Sequence, residues 1–136
     1  MKKSAFVLKL SVLFLLLTAN KCDDPENSSC EDYVSQLDGL RVKIENLANT
    51  SVCKENFECR YMAFGSKPCG GPWNYLVYST SIDTLELHSL VNAYNKMEQE
   101  LNVACERVSD CMMVNPPQRL ECKNNKCIAI YNRFLE

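Results

Sequence analysis

The sequence predicts a small α+β domain, rich in disulfides, in which two amphipathic helices pack on a small antiparallel sheet. Three observations support this class. The 136-residue chain has nine cysteines, two segments carry apolar residues at alternating spacings of three and four, and short β-prone segments follow each of them. A chain of this length suits one domain with a modest core, which we place at residues 28–136.

The chain begins with a targeting signal. In "MKKSAFVLKLSVLFLLLTANKC", Lys2, Lys3 and Lys9 lie before or within an apolar segment that ends at Leu17, as in a signal peptide. This apolar segment is shorter than the roughly 20 residues that a membrane-spanning helix needs. We therefore assign residues 1–21 to a signal peptide and the polar residues 22–27, "CDDPEN", to a short tether.

Cysteine counting singles out Cys22, because setting it aside leaves eight cysteines that can pair completely. These eight are Cys30, Cys53, Cys59, Cys69, Cys105, Cys111, Cys122 and Cys127. The segment before Cys22 resembles the lipobox of bacterial lipoproteins, which implies an N-terminal lipid on Cys22 and a place in the cell envelope. The acidic "CDDPE" is similar to signals that carry some lipoproteins to the outer face of the outer membrane. The alternative is a secreted protein with Cys22 free or in an intermolecular disulfide.

Charge and cysteine spacing exclude several partners. Loss of Lys2, Lys3, Lys9 and Lys21 with the signal peptide leaves 11 of the 15 basic residues against 17 acidic ones, a formal charge of −6. This balance argues against nucleic acid, which requires a basic surface. Zinc is a poor explanation for the cysteines, because there is no CxxC pair and only one histidine. We expect neither a metal nor a cofactor.

The first helix begins, on the sequence, near Cys30, where Ser28 and Glu31 form a capping-box pattern. Gly39 within it costs about 1 kcal/mol relative to alanine, so packing must hold the helix. The apolar residues that form one face are Tyr33, Leu37, Leu40, Ile44 and Leu47.

The second helix is predicted from Thr84 to Glu106, with Asp83 as its N-cap. Its apolar face comprises Leu87, Leu90, Tyr94, Met97, Leu101, Ala104 and Val108. A face of three heptads can indicate a coiled-coil partner. A second amphipathic helix in the same chain favours an intramolecular pair of helices.

A similar cysteine frame follows each helix. Three cysteines and a tyrosine recur at spacings that differ by one residue: Cys53, Cys59, Cys69 and Tyr78, then Cys105, Cys111, Cys122 and Tyr131. β-prone segments flank a Gly/Pro-rich turn in the first frame and a Pro-Pro turn in the second. The pattern indicates two helix–strand–turn–strand units, consistent with an internal duplication.

The second frame ends in a predicted hairpin. Asn124-Asn125 lies between two short β-prone segments, and asparagine tolerates the positive φ that a type I′ turn requires. Cys122 and Cys127 would then lie opposite each other, close enough for a disulfide. The alternative is that each pairs with a separate cysteine elsewhere.

The segment "GSKPCGGPWNYLVYS", 65–79, is the candidate binding loop. Its glycines permit backbone conformations that other residues avoid, and Pro68 and Pro72 rigidify it. Cys69 anchors it, and tryptophan is a common anchor at interfaces. We select Lys67, Trp73, Tyr75 and Tyr78 as binding candidates; the alternative is that Trp73 covers the small core. The segment resembles "GSKPCGGPWxYLxYS" in small uncharacterised bacterial envelope lipoproteins, a resemblance that implies no activity.

The residues do not predict an enzyme. A Ser/His/Asp or Cys/His site would have to use His88, which we expect on the solvated side of a helix. The sequence therefore predicts a non-enzymatic lipoprotein that binds an unknown protein partner. One alternative is an inhibitor of an extracellular hydrolase that presents the 65–78 loop, with Lys67 suited to a trypsin-like pocket although Pro68 follows it. Another is a structural or accessory subunit of a surface complex.

Overall fold

The computed structural model describes residues 25–131. Two helices alternate with two antiparallel hairpins, each a separate two-stranded sheet. The elements are α1 (Pro25–Thr50), β1 (Cys59–Phe64), β2 (Asn74–Ser79), α2 (Thr84–Ala104), β3 (Arg119–Lys123) and β4 (Lys126–Ile130). The predicted disulfide-rich α+β class is confirmed, with the strands arranged as two ribbons instead of one small sheet.

The core lies where the two helices pack on each other and on the β1–β2 hairpin. The predicted apolar face of α1 is confirmed, since all five of its members are buried or half-buried. On α2 the prediction fails at its end, because Ala104 is exposed and Val108 is 92 % exposed. Burial of these faces supplies the main driving force for the fold. The buried core residues are Leu37, Ile44, Ala48, Phe64, Tyr78, Leu87, Val91, Tyr94 and Leu101.

The helix ends differ from the predictions in two places. Helix α1 begins at Pro25, so residues 25–27, which were assigned to the tether, are helical; proline is tolerated in a first turn, where its missing N–H has no intrahelical partner. Helix α2 begins at Thr84 as predicted, and the Asp83 carboxylate accepts a hydrogen bond from the Glu86 amide at 2.9 Å.

Helix α2 ends two residues before the predicted Glu106, because that residue has a left-handed φ of 45°. The Glu106 amide donates to the Val103 carbonyl, and the Arg107 amide donates to the Asn102 carbonyl at 3.0 Å. These two bonds form a Schellman motif, which usually has glycine at the left-handed position. The turn redirects the chain immediately after the helix.

The β3–β4 hairpin is built as predicted. Asn124 and Asn125 both have positive φ, 52° and 61°, as a type I′ turn requires. Cys122 lies directly opposite Cys127 in the strand register. In the first hairpin, β1 and β2 are joined by residues 65–73, which we call the 65–73 loop.

The proposed duplication holds only for the order of elements. Segment 111–116, which the cysteine frame aligns with β1, is not a strand. Strand β3 begins instead after the Pro116-Pro117 pair, because proline lacks the N–H that a strand ladder needs. The two units are therefore built differently.

The eight cysteines form four disulfides, and the suggested Cys122–Cys127 bridge is wrong. Both of these cysteines pair with the first half of the chain, because the β3–β4 hairpin packs against the first hairpin. Every bridge joins a residue before position 80 to a residue after position 84. The bridges are Cys30–Cys105, Cys53–Cys122, Cys59–Cys127 and Cys69–Cys111.

Tryptic mapping of the unreduced protein tests this connectivity. Cleavage after lysine and arginine places the four cysteines around the hairpins in four different peptides, 44–54, 55–60, 120–123 and 127–133. We expect peptide 44–54 joined to 120–123, and peptide 55–60 joined to 127–133. A cross-linked product of 120–123 and 127–133 would contradict the structure, and reduction should release all four peptides as a control.

Candidate functional site

Three polar side chains of α2 hold the 65–73 loop in place. Asn95, Glu98 and Asn102 follow one another at spacings of three and four, so they lie on one face of the helix. Glu98 and Asn102 are buried and Asn95 is half-buried. We call these three residues the polar clamp.

The polar clamp binds the backbone where β1 ends and the loop begins. The Asn95 carboxamide accepts from the Gly65 amide at 2.7 Å and donates to the Ala63 carbonyl at 3.1 Å. The Glu98 carboxylate accepts from the Ser66 amide at 2.6 Å, and the Asn102 carboxamide donates to the Ser66 carbonyl at 2.7 Å. Buried backbone groups outside regular structure need such partners, so the clamp replaces the bonds that a strand would have supplied.

Lys67 is buried, which corrects the expectation that it presents its charge to a partner. Only 7 % of the residue is exposed. Its ammonium donates to the Asp110 carboxylate at 2.9 Å and to the Met112 carbonyl at 2.8 Å. The bond from Lys67 lowers the pKa of Asp110 below its ordinary value. Together with the Cys69–Cys111 disulfide, these contacts attach the loop to the segment after α2.

Trp73 packs on the start of the 65–73 loop and faces solvent on its other side. The ring packs on Gly65, where a Cβ atom would lie 2.6 Å from Trp73 Cδ1, and the Lys67 ammonium lies 5.1 Å from the ring centroid. The residue is nevertheless 41 % exposed. The described contacts of Trp73 are with Gly65 and Lys67, and Trp73 is not among the residues packed on the core.

The other two binding candidates, Tyr75 and Tyr78, lie on strand β2 and differ from each other. Tyr75 is half-buried, and its ring meets that of Tyr61 edge-on at 5.5 Å between centroids. Tyr78 is in the core, where burial raises its pKa, and its hydroxyl is 2.7 Å from Nε2 of His88. The structure thus leaves Trp73 and Tyr75 accessible, whereas Lys67 and Tyr78 are structural.

A cleft of about 420 Å³ opens beside Trp73, between the helices and the 65–73 loop. The sequence did not indicate it, because its walls come from distant segments. The sequence held one signal for this cleft, the spacing of the polar clamp. Polar residues that recur at helical spacing beside an apolar face can point into the protein. The walls include Arg41 and Glu45 of α1, Phe64, Gly65 and Trp73, Tyr94 and Glu98 of α2, and Arg107.

Arg41 and Tyr94 form one wall of this cleft. The Arg41 guanidinium donates to the Tyr94 hydroxyl at 2.5 Å, and this bond raises the pKa of Arg41. Burial raises the pKa of Tyr94, so its hydroxyl remains protonated at neutral pH. Arg107 is placed on the cleft by the left-handed turn at Glu106.

His88 is exposed, as expected, and its hydrogen-bond partner is the Tyr78 hydroxyl. The sulfur atoms of Cys53, Cys59 and Cys127 lie within 4.8 Å of one another. All three belong to disulfides, so their sulfurs are not thiolate ligands for a metal. Their proximity reflects two neighbouring bridges.

Comparisons with known protein families, with curated proteins and with solved structures find no match to this chain. Within residues 25–131, neither helix combines the length and apolar character needed to cross a bilayer.

The contact between the Trp73 ring and Gly65 is tested by comparing the variants Gly65→Ala and Gly39→Ala. Gly65 has a φ of +84°, and an added Cβ would overlap the Trp73 ring. We expect Gly65→Ala to lower the free energy of unfolding by about 1–3 kcal/mol and to shift the tryptophan emission. Gly39 has no atom within 4 Å of an added Cβ, so Gly39→Ala should raise stability by up to about 1 kcal/mol. Denaturation by urea measures both, and equal effects would contradict the described contact.

Proposed function

We propose that this chain is a non-enzymatic lipoprotein of the cell envelope that binds a protein partner through the surface around Trp73. The observation that carries the proposal is the rigid support of an exposed aromatic side chain. The polar clamp, the buried Lys67 and the Cys69–Cys111 disulfide all restrain the 65–73 loop. A restrained loop loses little conformational entropy on binding.

The chemical character of the surface supports the same proposal. Large apolar side chains that are exposed on or near the loop include Tyr61, Trp73, Met112 and Met113. Aromatic residues and methionine are enriched at protein interfaces, and tryptophan is among the commonest residues whose truncation weakens binding. The mature chain is acidic, so a protein partner fits this surface better than nucleic acid does.

The alternative of a hydrolase inhibitor needs a different contact residue from the one that the sequence suggested. Lys67 is engaged by Asp110 and Met112, so its side chain cannot enter a trypsin-like pocket in this conformation. An inhibitor would have to use the Trp73 side of the loop.

The partner-binding surface is tested by truncating Trp73. We expect Trp73→Ala to reduce the capture of a partner from envelope extracts at least tenfold, because the exposed ring supplies the main contact. Phe57→Ala is a matched control, since Phe57 is also 41 % exposed and lies outside the loop. Quantitative mass spectrometry of the captured proteins measures both variants.

One outcome of this capture experiment would argue against the surface around Trp73. A partner that Trp73→Ala captures as well as the wild-type chain does, while both variants keep their melting temperatures, would contradict the proposed surface.

The envelope location rests on the N-terminal sequence. Cys22, the proposed lipidated residue, lies outside the described residues. The described part of α1 begins at Pro25, three positions after Cys22, so residues 25–27 of the predicted tether 22–27 are helical. A lipid on Cys22 would therefore hold the domain close to the membrane surface.

Intact mass of the membrane-extracted protein tests the anchor. We expect a chain that begins at Cys22 and carries a diacylglycerol group. Eight cysteines should become alkylatable only after reduction, which serves as an internal control for folding. A soluble product that begins near Asn20 would contradict the anchor and favour a secreted protein.

A further inference from the structure

Glu98 is a buried carboxylate that forms no direct ion pair among the described residues. The residue is only 6 % exposed, and its carboxylate accepts a hydrogen bond from the Ser66 amide. None of the four ion pairs among residues 25–131 includes it. The pKa of Arg41 is raised mainly by its bond to Tyr94 and in part by the negative charge of Glu98, so Arg41 compensates this charge through space. Burial of a carboxylate without a direct ion pair is still costly, so the charge calls for an explanation.

The polar clamp does not require a carboxylate at position 98. At 95 and 102 the same helix face holds the loop with neutral asparagines. A glutamine at 98 could accept the Ser66 bond through its carbonyl oxygen equally well. The negative charge is therefore additional to the structural role of Glu98.

The second carboxylate oxygen of Glu98 is open to the cleft. The described residues bind the carboxylate through Oε2 alone. Ser109 Oγ is the one side-chain atom within residues 25–131 that is both buried and unpartnered, so Oε1 must be accessible to solvent. Glu98 lines the cleft, which is where that solvent lies.

Positive groups stand elsewhere on the same cleft. Arg41 and Arg107 line it and are both exposed. With Glu45 and Glu98, the lining has two positive and two negative charges, so its formal charge is zero. A neutral site lined by charges of both signs favours a ligand that carries both signs, whereas a simple cation or anion would meet repulsion as well as attraction.

We propose that the cleft binds a small zwitterion, an α-amino acid or a dipeptide with free termini. The ligand ammonium contacts Glu98, its carboxylate contacts Arg41 and Arg107, and its side chain packs against Trp73. The volume of about 420 Å³ is in the usual range of roughly 300–1,000 Å³ for small-molecule sites. Binding of this small ligand is a function separate from the binding of a protein partner and does not depend on it.

Fluorescence titration of the full-length, disulfide-intact chain tests the proposal, because Trp73 is the only tryptophan of the protein. The probes at pH 7 are L-leucine, leucyl-leucine, leucinamide and N-acetyl-leucine. We expect a saturable change in emission with leucine or leucyl-leucine, and at least tenfold weaker binding of the two probes that lack one charge. Comparison of leucine with leucyl-leucine shows whether the site takes the free amino acid or the dipeptide.

Charge variants identify the contacts. Glu98→Gln should remove the advantage of leucine over N-acetyl-leucine. Arg107→Gln should reduce its advantage over leucinamide, because Arg41 still faces the ligand carboxylate. Glu100→Gln is the matched control, because this carboxylate is exposed on α2 outside the cleft, and it should bind like the wild-type chain. Arg107 is also exposed, so we expect Arg107→Gln to fold like the wild-type chain. A loss of binding in this variant then reports the ligand contact.

Two results would overturn the zwitterion site. One is the absence of any saturable change with all four probes. The other is wild-type affinity for leucine in both Glu98→Gln and Arg107→Gln. Partner capture that depends on Trp73 would still stand in either case, so the two proposals fail separately.

Discussion

The four disulfides between the two halves of the chain are the constraint on which the rest of the structure depends. The core is small, and a two-stranded hairpin is marginal by itself in water. The β3–β4 hairpin is attached to the first half through Cys53–Cys122 and Cys59–Cys127. Cross-links between residues far apart in sequence restrict the unfolded chain, which stabilises the folded one by about 2–5 kcal/mol for each native bridge in small secreted domains. The two helices share only a modest apolar face, and the cross-linked hairpins give them a stable surface to pack on.

Helix α2 serves two purposes because apolar residues along it pack in the core while polar residues beside them bind the 65–73 loop. Leu87, Val91 and Tyr94 pack in the core, whereas the polar clamp binds backbone atoms of the 65–73 loop. A loop of glycines and prolines cannot satisfy its own N–H and C=O groups through a ladder. Side chains of the helix supply the missing partners, and the loop gains a single conformation that keeps Trp73 exposed.

The burial of Lys67 changes the kind of recognition that the loop can perform. A lysine at the tip of a restrained loop is the pattern of a substrate-like inhibitor, yet here the lysine anchors the loop from within. Its ammonium meets Asp110, the Met112 carbonyl and the Trp73 ring. The accessible features are instead an aromatic edge and the neighbouring cleft, which is lined by charged residues of α1, α2 and the segment after the turn at Glu106.

The sequence by itself determined the local elements, and the tertiary structure decided what they join. Apolar spacing predicted both helices, Asp83 predicted the start of α2, and Asn124-Asn125 predicted the second hairpin, because these signals depend on residues within a few positions of one another. The disulfide partners, the burial of Lys67 and the lining of the cleft could not be predicted in this way. Each depends on segments more than 40 positions apart, such as Cys53 with Cys122 or Lys67 with Asp110, and only the packing of helices and hairpins brings such segments together.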